Sequence, residues 1–170
     1  MKLYLAAAEA ALAALSEEGA TASQTGPADR GSLTATAAVL ARSLEDFDEP
    51  GPHSALDRLL ADFTVESVLR DAIIPYLHDL GERWQRGQAS VACEHFASNI
   101  LRGRLAGLAR GWGYGPGPRA FLACPPSEQH DLALLAFGIV LHRNGWKVDY
   151  LGTDTPSANS PAPSTIPIPT

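Results

Sequence analysis

The residues best suited to chemistry lie between positions 81 and 98, where an aromatic plate precedes a carboxylate and an imidazole. Trp84 is followed, after nine intervening residues, by the adjacent pair Glu94 and His95. The glycine and glutamine at 87–88 predict a break between two helices, and a short connection between antiparallel helices brings residues near the joint together. The spacing therefore predicts a ligand pocket with a few convergent polar groups. In the alternative, Trp84 anchors the core while Glu94 and His95 are solvated.

A second polar group follows a short apolar run later in the chain. The run at 119–124 predicts a buried strand, and the loop after it carries Glu128, His130 and Asp131. Ligands of open α/β sheets bind at the carboxyl ends of the strands, where such a loop lies. The competing interpretation of His130 is an ordinary loop or helix-capping histidine.

The cysteines allow one further metal arrangement. Cys93, His95, Cys124 and His130 could be combined into a zinc site, but these residues lack the paired spacing of zinc ligands. Two cysteines also form no disulfide framework, so a reducing cytosol is the expected compartment.

The first part of the chain predicts a helical bundle over residues 32–114. Apolar residues recur at helical spacing throughout it. The predicted helices span 32–44, a short run that begins at Ser54, 64–84 and 90–110. Pro75 lies inside the third run, so a kink or a helix start is expected there. Before the bundle, residues 1–31 predict an amphipathic helix at 2–18 and a polar linker at 21–31.

The pattern changes after the glycine- and proline-rich segment at 112–118. Residues 115–156 predict one βαβ unit with two parallel strands. The helix is expected at 131–143, between strands at 119–124 and 146–151. A doubly wound sheet has about five strands, so this unit is either partial or covered at its edge by something else. Residues 157–170, rich in Pro, Ser and Thr, predict a disordered tail.

The fold class is therefore α/β by domains: an all-α bundle followed by a partial Rossmann-like, flavodoxin-like unit. The 170 residues are 45% hydrophobic and 19% charged, as in ordinary globular proteins. A net charge of -6 argues against direct binding of nucleic acid by this chain. No apolar run is long enough to span a bilayer, so a cytoplasmic protein without membrane contact is expected.

The two polar groups together resemble the cobalamin-binding module. In that module a helical bundle precedes a Rossmann-like domain whose first βα loop carries Glu-x-His, and the loop histidine is the lower axial ligand of cobalt. Here residues 127–133 read SEQHDLA, so His130 matches the cobalt ligand and Glu128 the acidic position before it. The usual motif ends in glycine where this chain has Ala133, a departure that the regulator branch of the family tolerates.

The spacing from Trp84 to Glu94 and His95 is similar to the bundle of the CarH/LitR type of light-responsive, MerR-class transcription regulators. The resemblance implies that Trp84 lies over the adenosyl group of adenosylcobalamin, with Val91, Glu94 and His95 completing its pocket. Residues 151–156, LGTDTP, are similar to the segment that ends the second strand in the same family. The resemblance covers roughly residues 33–156.

The chemistry of cobalt explains the lower site that the resemblance implies. Cobalt in a corrin ring keeps axial positions through which a protein can tune the metal. An imidazole at His130 can reach such a position, and Glu128 or Asp131 can hold the other ring nitrogen and so fix the tautomer. A crowded upper face excludes water and substrates, which suits sensing, so no catalytic residue is predicted.

Three departures limit what the resemblance implies. The chain has no N-terminal helix-turn-helix, so DNA binding is expected only through a domain outside it. Gln85 follows Trp84 where some light sensors have a histidine that captures cobalt after photolysis. The later strands, whose loops surround the lower nucleotide tail of cobalamin, are also missing.

Three functions follow from these patterns. The leading one is a cobalamin-binding sensory module of a light- or B12-responsive regulator, which is expected to form homo-oligomers. The second is a corrinoid carrier of a methyltransferase system, which shares the bundle and the histidine loop but must open its upper face to partner enzymes. The third is a truncated remnant that binds no cobalamin, because its two strands have exposed edges.

Overall fold

The structure, a computed structural model, describes residues 27–156 of the chain. The helix predicted at 2–18 and the tail predicted at 157–170 lie outside these described residues. Within them, the helices and the small parallel sheet confirm the predicted fold class, an all-α region followed by a partial Rossmann-like unit.

The all-α region consists of five α-helices and one π-helical turn, here numbered in chain order. They are α1 (Pro27–Glu45), α2 (Pro50–Asp62), α3 (Val65–Val68), the π-helical turn (Leu69–Ile73), α4 (Ile74–Gln85) and α5 (Val91–Leu108). The break between α4 and α5 falls where the glycine at 87, with φ +69°, predicts it. Ser90 caps α5, because its hydroxyl accepts a hydrogen bond from the backbone N–H of Cys93 at 3.1 Å.

Two helices begin earlier than the sequence predicts. Helix α1 starts at Pro27 rather than at residue 32, so the end of the expected linker is helical. Helix α2 starts at Pro50, and the hydroxyl of Ser54 donates to the Pro50 carbonyl at 3.0 Å instead of capping the helix. In α2 a proline opens the helix, because the first turn leaves its N–H groups without a helical partner anyway.

Pro75 is accommodated by a helix start rather than by a sharp break. It lies in the first turn of α4, directly after the π-helical turn. There the backbone N–H of Ile74 donates to the carbonyl of Leu69, five residues earlier. The wider turn provides space for a ring that would collide with the preceding carbonyl in a regular helix.

The core of the all-α region is built from leucine and other aliphatic side chains. Leu40 and Leu44 of α1 pack with buried residues of α2, the π-helical turn and α5. Leu56, Leu69 and Leu101 are completely buried in this cluster. No helix among the described residues combines the length and the apolar character needed to cross a membrane.

The βαβ unit follows as predicted. It consists of β1 (Arg119–Ala123), α6 (Leu132–Arg143) and β2 (Lys147–Gly152). The strands pair in parallel, with Arg119 opposite Lys147, and the register shifts between Leu122 and Ala123. Helix α6 is buried along most of its length because it packs against β1 and β2 on one side and against α5 on the other. One face of the small sheet is therefore covered by α6, and α6 is covered by the bundle.

Candidate functional site

The all-α region and the βαβ unit enclose a cavity of about 350 Å³ between them. Helix α4, helix α5, the loop after β1 and the start of α6 each contribute to its wall. The lining residues are Leu77, Leu80, Gly81, Trp84, Val91, Glu94, His95, Ser98, Asn99, Arg102, Gln129, His130, Leu132 and Ala133. Glu94 and His95 of the first predicted polar group and His130 of the second thus line one cavity, although His130 lies thirty-five positions after His95 in the chain.

Trp84 lies at the end of α4 with its ring on the cavity. Its side chain is 48% exposed, so it does not anchor the core. Val91, in the first turn of α5, is also exposed beside the same cavity. Together they give the side of the cavity that α4 and α5 form, here called the upper wall, a flat aromatic ring and an apolar edge. Such a surface suits a flat, weakly polar group more than a solvated ion.

Glu94 and His95 lie on the cavity side of α5 and contact each other. One oxygen of Glu94 lies 2.9 Å from His95 Nδ1, and the other accepts a hydrogen bond from the Ser98 hydroxyl at 2.8 Å. The carboxylate is mostly covered, whereas the imidazole is exposed. The pair therefore places a fixed acceptor and an accessible ring beside the plate of Trp84.

His130 faces the cavity from the loop that follows β1. Its Nδ1 lies 2.7 Å from Glu128 Oε1, and the same oxygen accepts the backbone N–H of His130 at 2.8 Å. Because a carboxylate only accepts, a neutral imidazole in this contact carries its proton on Nδ1 and its lone pair on Nε2. This arrangement prepares the imidazole to bind a metal through Nε2.

The hydrogen bonds from His130 also act on the Glu128 carboxyl group. Burial alone raises its pKa, but the backbone and side-chain hydrogen bonds from His130 outweigh burial, so the pKa of Glu128 lies below its ordinary value. The carboxylate therefore stays charged where the imidazole needs an acceptor.

A second loop holds the His130 loop in place. Asp154, which follows β2, accepts the backbone N–H of Ser127 through its carboxylate at 2.7 Å and donates its own N–H to the carbonyl of Glu128 at 3.1 Å. Ser127 and Asp154 both have positive φ, 69° and 48°. Non-glycine residues adopt this conformation at a cost, so the surrounding contacts impose it.

Asp131 does not line the cavity. Its side chain is 4% exposed, and Oδ2 accepts a hydrogen bond from the Tyr150 hydroxyl at 2.6 Å, while Oδ1 forms an ion pair with Arg102. The prediction that Asp131 touches a ligand or holds the imidazole is therefore corrected, since Glu128 occupies the second of these positions. Burial, followed by the hydrogen bond to Asp131, raises the pKa of Tyr150.

The zinc arrangement finds no support in the described part of the chain. Cys93 and Cys124 are buried free cysteines, and burial raises the pKa of both thiols. A raised pKa disfavours the thiolate form that binds zinc. Within residues 27–156, no three histidine, cysteine or carboxylate side chains cluster closely enough to hold a metal ion.

Sequence reasoning missed most of the remaining wall. On α5 the cavity-facing positions continue from Glu94 to Ser98 and Arg102, and on α4 they run back from Trp84 through Leu80 to Leu77. These steps of three and four residues follow one face of a helix. Extending the helical period outward from the predicted residues would have identified them.

The chain is similar in sequence to known proteins, first of all over its helical bundle. Residues 36–108 match a protein family described as a B12 binding domain. The matched segment covers α2, α3, the π-helical turn, α4 and α5 completely, together with the last ten residues of α1. It contains the upper wall of the cavity, with Trp84 and Glu94.

Two curated relatives extend the similarity. The chain is 34% identical over 111 residues to the HTH-type transcriptional repressor CarH of Myxococcus xanthus. The aligned segment covers 65% of this chain and 37% of the relative. Over 95 residues it is 42% identical to the HTH-type transcriptional repressor CarA of the same organism, or 55% of this chain and 31% of the relative. The matched segments span about a third of the length of these relatives. The predicted resemblance to the cobalamin-binding module of such regulators is thus confirmed.

Proposed function

We propose that this chain is a cobalamin-binding sensory module that holds adenosylcobalamin between its helical bundle and its Rossmann-like unit. The observation that carries the proposal is the position of Trp84 and His130 in the wall of one cavity. The similarity of residues 36–108 to a B12 binding domain supports the choice of ligand.

The side chains around the cavity fit the chemistry of a corrinoid. A corrinoid carries a metal that a nitrogen atom can bind and a flat ring against which apolar and aromatic side chains can pack. His130 supplies the nitrogen, because Glu128 occupies Nδ1 and leaves Nε2 for the metal. Trp84 and Val91 supply the apolar surface, and Leu132 and Ala133 add apolar wall beside His130.

The residues divide the work as follows. His130 would hold the cobalt through Nε2, Glu128 would accept the hydrogen bond from Nδ1, and Trp84 would pack against the adenosyl group. Glu94 and His95 would provide hydrogen-bonding groups for a ribose or an adenine edge. Bound cobalamin would supply a cobalt–carbon bond, which makes the module sensitive to light or to the form of the vitamin.

In the whole protein, this module would control transcription. We assign residues 32–114 to the bundle that caps the upper face and 115–156 to the cobalamin-binding unit. The relatives are named as transcriptional repressors of the HTH type, which supports a regulator rather than an enzyme. DNA contact would come through a domain outside this chain, the assembly would be a homo-oligomer, and the protein would work in the cytoplasm.

The test is reconstitution of the full chain with adenosylcobalamin in the dark, followed by absorbance and by electron paramagnetic resonance of the reduced cob(II)alamin form. In protein labelled with ¹⁵N-histidine, we expect a ¹⁵N hyperfine coupling in the wild type and its loss in His130→Ala, because only the histidine nitrogen carries the label. His53→Ala is the matched control, because His53 is exposed on α2 and does not line the cavity. A His130→Ala protein with the wild-type spectrum would refute the proposal.

One observation favours the corrinoid carrier as a second candidate. The upper wall is not sealed, since both Trp84 and Val91 are about half exposed, and a carrier must admit partner enzymes there. Parallel titrations with methylcobalamin and adenosylcobalamin separate the two functions. Tighter binding of adenosylcobalamin, lost in Trp84→Ala, supports the sensor, whereas a preference for methylcobalamin supports the carrier.

A further inference from the structure

Asp131 occupies the position of a helix cap without acting as one. It is the residue before α6, where aspartate commonly accepts a hydrogen bond from the first turn of its own helix. Its carboxylate makes no such bond. Instead one oxygen accepts the hydroxyl of Tyr150 on β2, and the other pairs with Arg102 on α5. The Asp131 side chain thus bonds to β2 and to α5 rather than to the first turn of α6.

Arg102 connects the two regions of the protein at this point. It belongs to α5 in the bundle, its guanidinium contacts the nearly buried carboxylate of Asp131, and part of its side chain lines the cavity. A buried carboxylate needs a partner of opposite charge, and removing that partner is strongly destabilising locally. Asp131 in turn follows His130 directly in the chain. Arg102 therefore acts on the backbone next to the histidine.

We propose that Arg102 is a positioning residue for His130: by pairing with Asp131, it ties helix α5 to the loop that carries the histidine. This inference rests on the proposed function in one respect, namely that His130 meets a ligand in the cavity. The ion pair between Arg102 and Asp131 does not depend on any ligand. It holds the backbone beside His130 against α5, where the imidazole must reach the ligand.

A second ion pair between the same two regions provides a matched control. Arg143, at the far end of α6, pairs with Glu66 of α3 through Nε and Oε1 at 2.5 Å. Neither residue lines the cavity. Both pairs join the bundle to the βαβ unit, but only the Arg102–Asp131 pair lies beside His130. A general effect of interregion ion pairs would appear in both, and a positioning effect in one.

The experiment uses the full chain and compares Arg102→Met, Asp131→Asn and their double variant with Arg143→Met and Glu66→Gln. Without ligand, hydrogen exchange of the amides at 127–131 reports the order of the loop. With adenosylcobalamin, a titration gives the affinity, and the reduced form gives the nitrogen hyperfine coupling. Arg102→Lys, which keeps the charge, tests for rescue.

For Arg102→Met and for Asp131→Asn we expect adenosylcobalamin binding roughly tenfold weaker, together with faster exchange at 127–131 and a weaker nitrogen coupling. The double variant should be no worse than either single one, because both remove the same contact. Arg102→Lys should recover part of the loss. Arg143→Met and Glu66→Gln should lower the unfolding temperature without changing the loop or the coupling.

Three results would overturn the inference. The first is an equal effect of the Arg102 and Arg143 substitutions on loop exchange. The second is a loss of affinity in Arg102→Met that Asp131→Asn does not share, since it would mean that Arg102 touches the ligand directly. The third is additive behaviour in the double variant.

The inference and the proposed function can fail separately. If the wild-type chain does not bind cobalamin, the proposed function fails, while hydrogen exchange and the double-variant comparison still decide whether the tie exists. If Arg102→Met does not fold, Tyr150→Phe and Arg102→Lys carry the same comparison. Tyr150→Phe removes the hydroxyl that donates to Asp131, and Arg102→Lys changes the ion-pair partner while keeping its charge.

Discussion

The two walls of the cavity are built on different physical principles. The upper wall consists of successive turns of α4 and α5, whose cavity-facing residues are backed by buried leucines such as Leu101. The lower wall is a loop held by polar contacts, including the carboxylate of Asp154 on the backbone of Ser127. Helical regularity thus supports one wall, and hydrogen bonds between residues distant in sequence support the other.

The apolar core is distributed just as unevenly. Among the described residues, eleven large side chains are fully buried, and nine of them lie in the all-α region. The other two, Ile139 and Val140, belong to α6. The βαβ unit therefore depends on packing against the bundle and on a few specific contacts. Substitutions in the two regions should differ in kind, and the following predictions test that difference.

The largest expected effect comes from a pair of tryptophans. Trp112 precedes β1, is only 7% exposed and packs edge-on against Tyr150 with ring centroids 5.5 Å apart. We expect Trp112→Ala to lower the free energy of unfolding by about 3–5 kcal/mol. Trp84→Ala should have a much smaller effect on unfolding and should instead weaken adenosylcobalamin binding by about 1–3 kcal/mol through lost stacking. Urea unfolding measures the stability of both variants, and ligand titration measures their affinity. Equal losses of stability in the two variants would contradict the prediction.

Substitution of two helical glycines by alanine should change the stability of the protein in opposite directions. A Cβ added at Gly138 in α6 would lie 2.6 Å from the ring of Trp112 and 2.8 Å from Leu122 Cδ1, whereas one added at Gly103 in α5 meets no atom within 4 Å. We expect Gly138→Ala to destabilise by about 1–3 kcal/mol. Gly103→Ala should stabilise by about 0.5–1 kcal/mol, because alanine favours the helix. Thermal unfolding of both variants provides the measurement, and a destabilised Gly103→Ala would show that α5 is not regular there.

Glu128 tests the lower wall without removing the histidine. Glu128→Gln keeps the shape of the acceptor but removes its charge, so under the proposed function the His130 imidazole would become a weaker ligand. We expect adenosylcobalamin affinity to fall about tenfold. Glu49→Gln, in the exposed turn before α2, is the matched control and should bind like the wild type. Unchanged affinity in Glu128→Gln would show that the contact between Glu128 and His130 does not contribute to adenosylcobalamin binding.

The smallest effect concerns stability at acidic pH. The folded-state pKa of Glu128 lies below its ordinary value of 4.5, because the hydrogen bonds from His130 outweigh burial. The resulting stabilisation is fully present above that ordinary value and is lost as the pH falls through the lower folded-state pKa. Unfolding measured from about pH 6 to about pH 3 should therefore show a steeper loss in the wild type than in Glu128→Gln. Parallel curves for the two proteins would count against this contact in solution.

Much of the upper wall could be predicted from the sequence. A glycine break and helical spacing on either side of it bring Trp84, Val91 and Glu94 to one joint, and the structure places them on one cavity. The composition of residues 21–31 predicts a linker, whereas the structure is already helical at Pro27, because packing of α1 against the bundle outweighs the local composition. Pro75 was expected to disturb its helix, and the π-helical turn shows how the chain accommodates it.

The lower wall was only half predictable. The order of strand, Glu128, His130 and helix identifies the histidine loop, because local sequence determines where a βα loop falls. The partner of the imidazole could not be chosen between Glu128 and Asp131, since both are close enough in sequence. The structure assigns the contact to Glu128, because Asp131 is already held by Tyr150 and Arg102.

The sequence by itself determined the helices, the βαβ unit and the residue types on each side of the cavity, because these depend on periodicity and on neighbouring residues. Only the tertiary structure decided that Arg102 meets Asp131 and that Asp154 meets Ser127. These partners are 29 and 27 residues apart, and no local pattern specifies which charged groups meet. Their contacts follow from how α6 and the sheet pack against the bundle, and that packing sets the distance between the two walls.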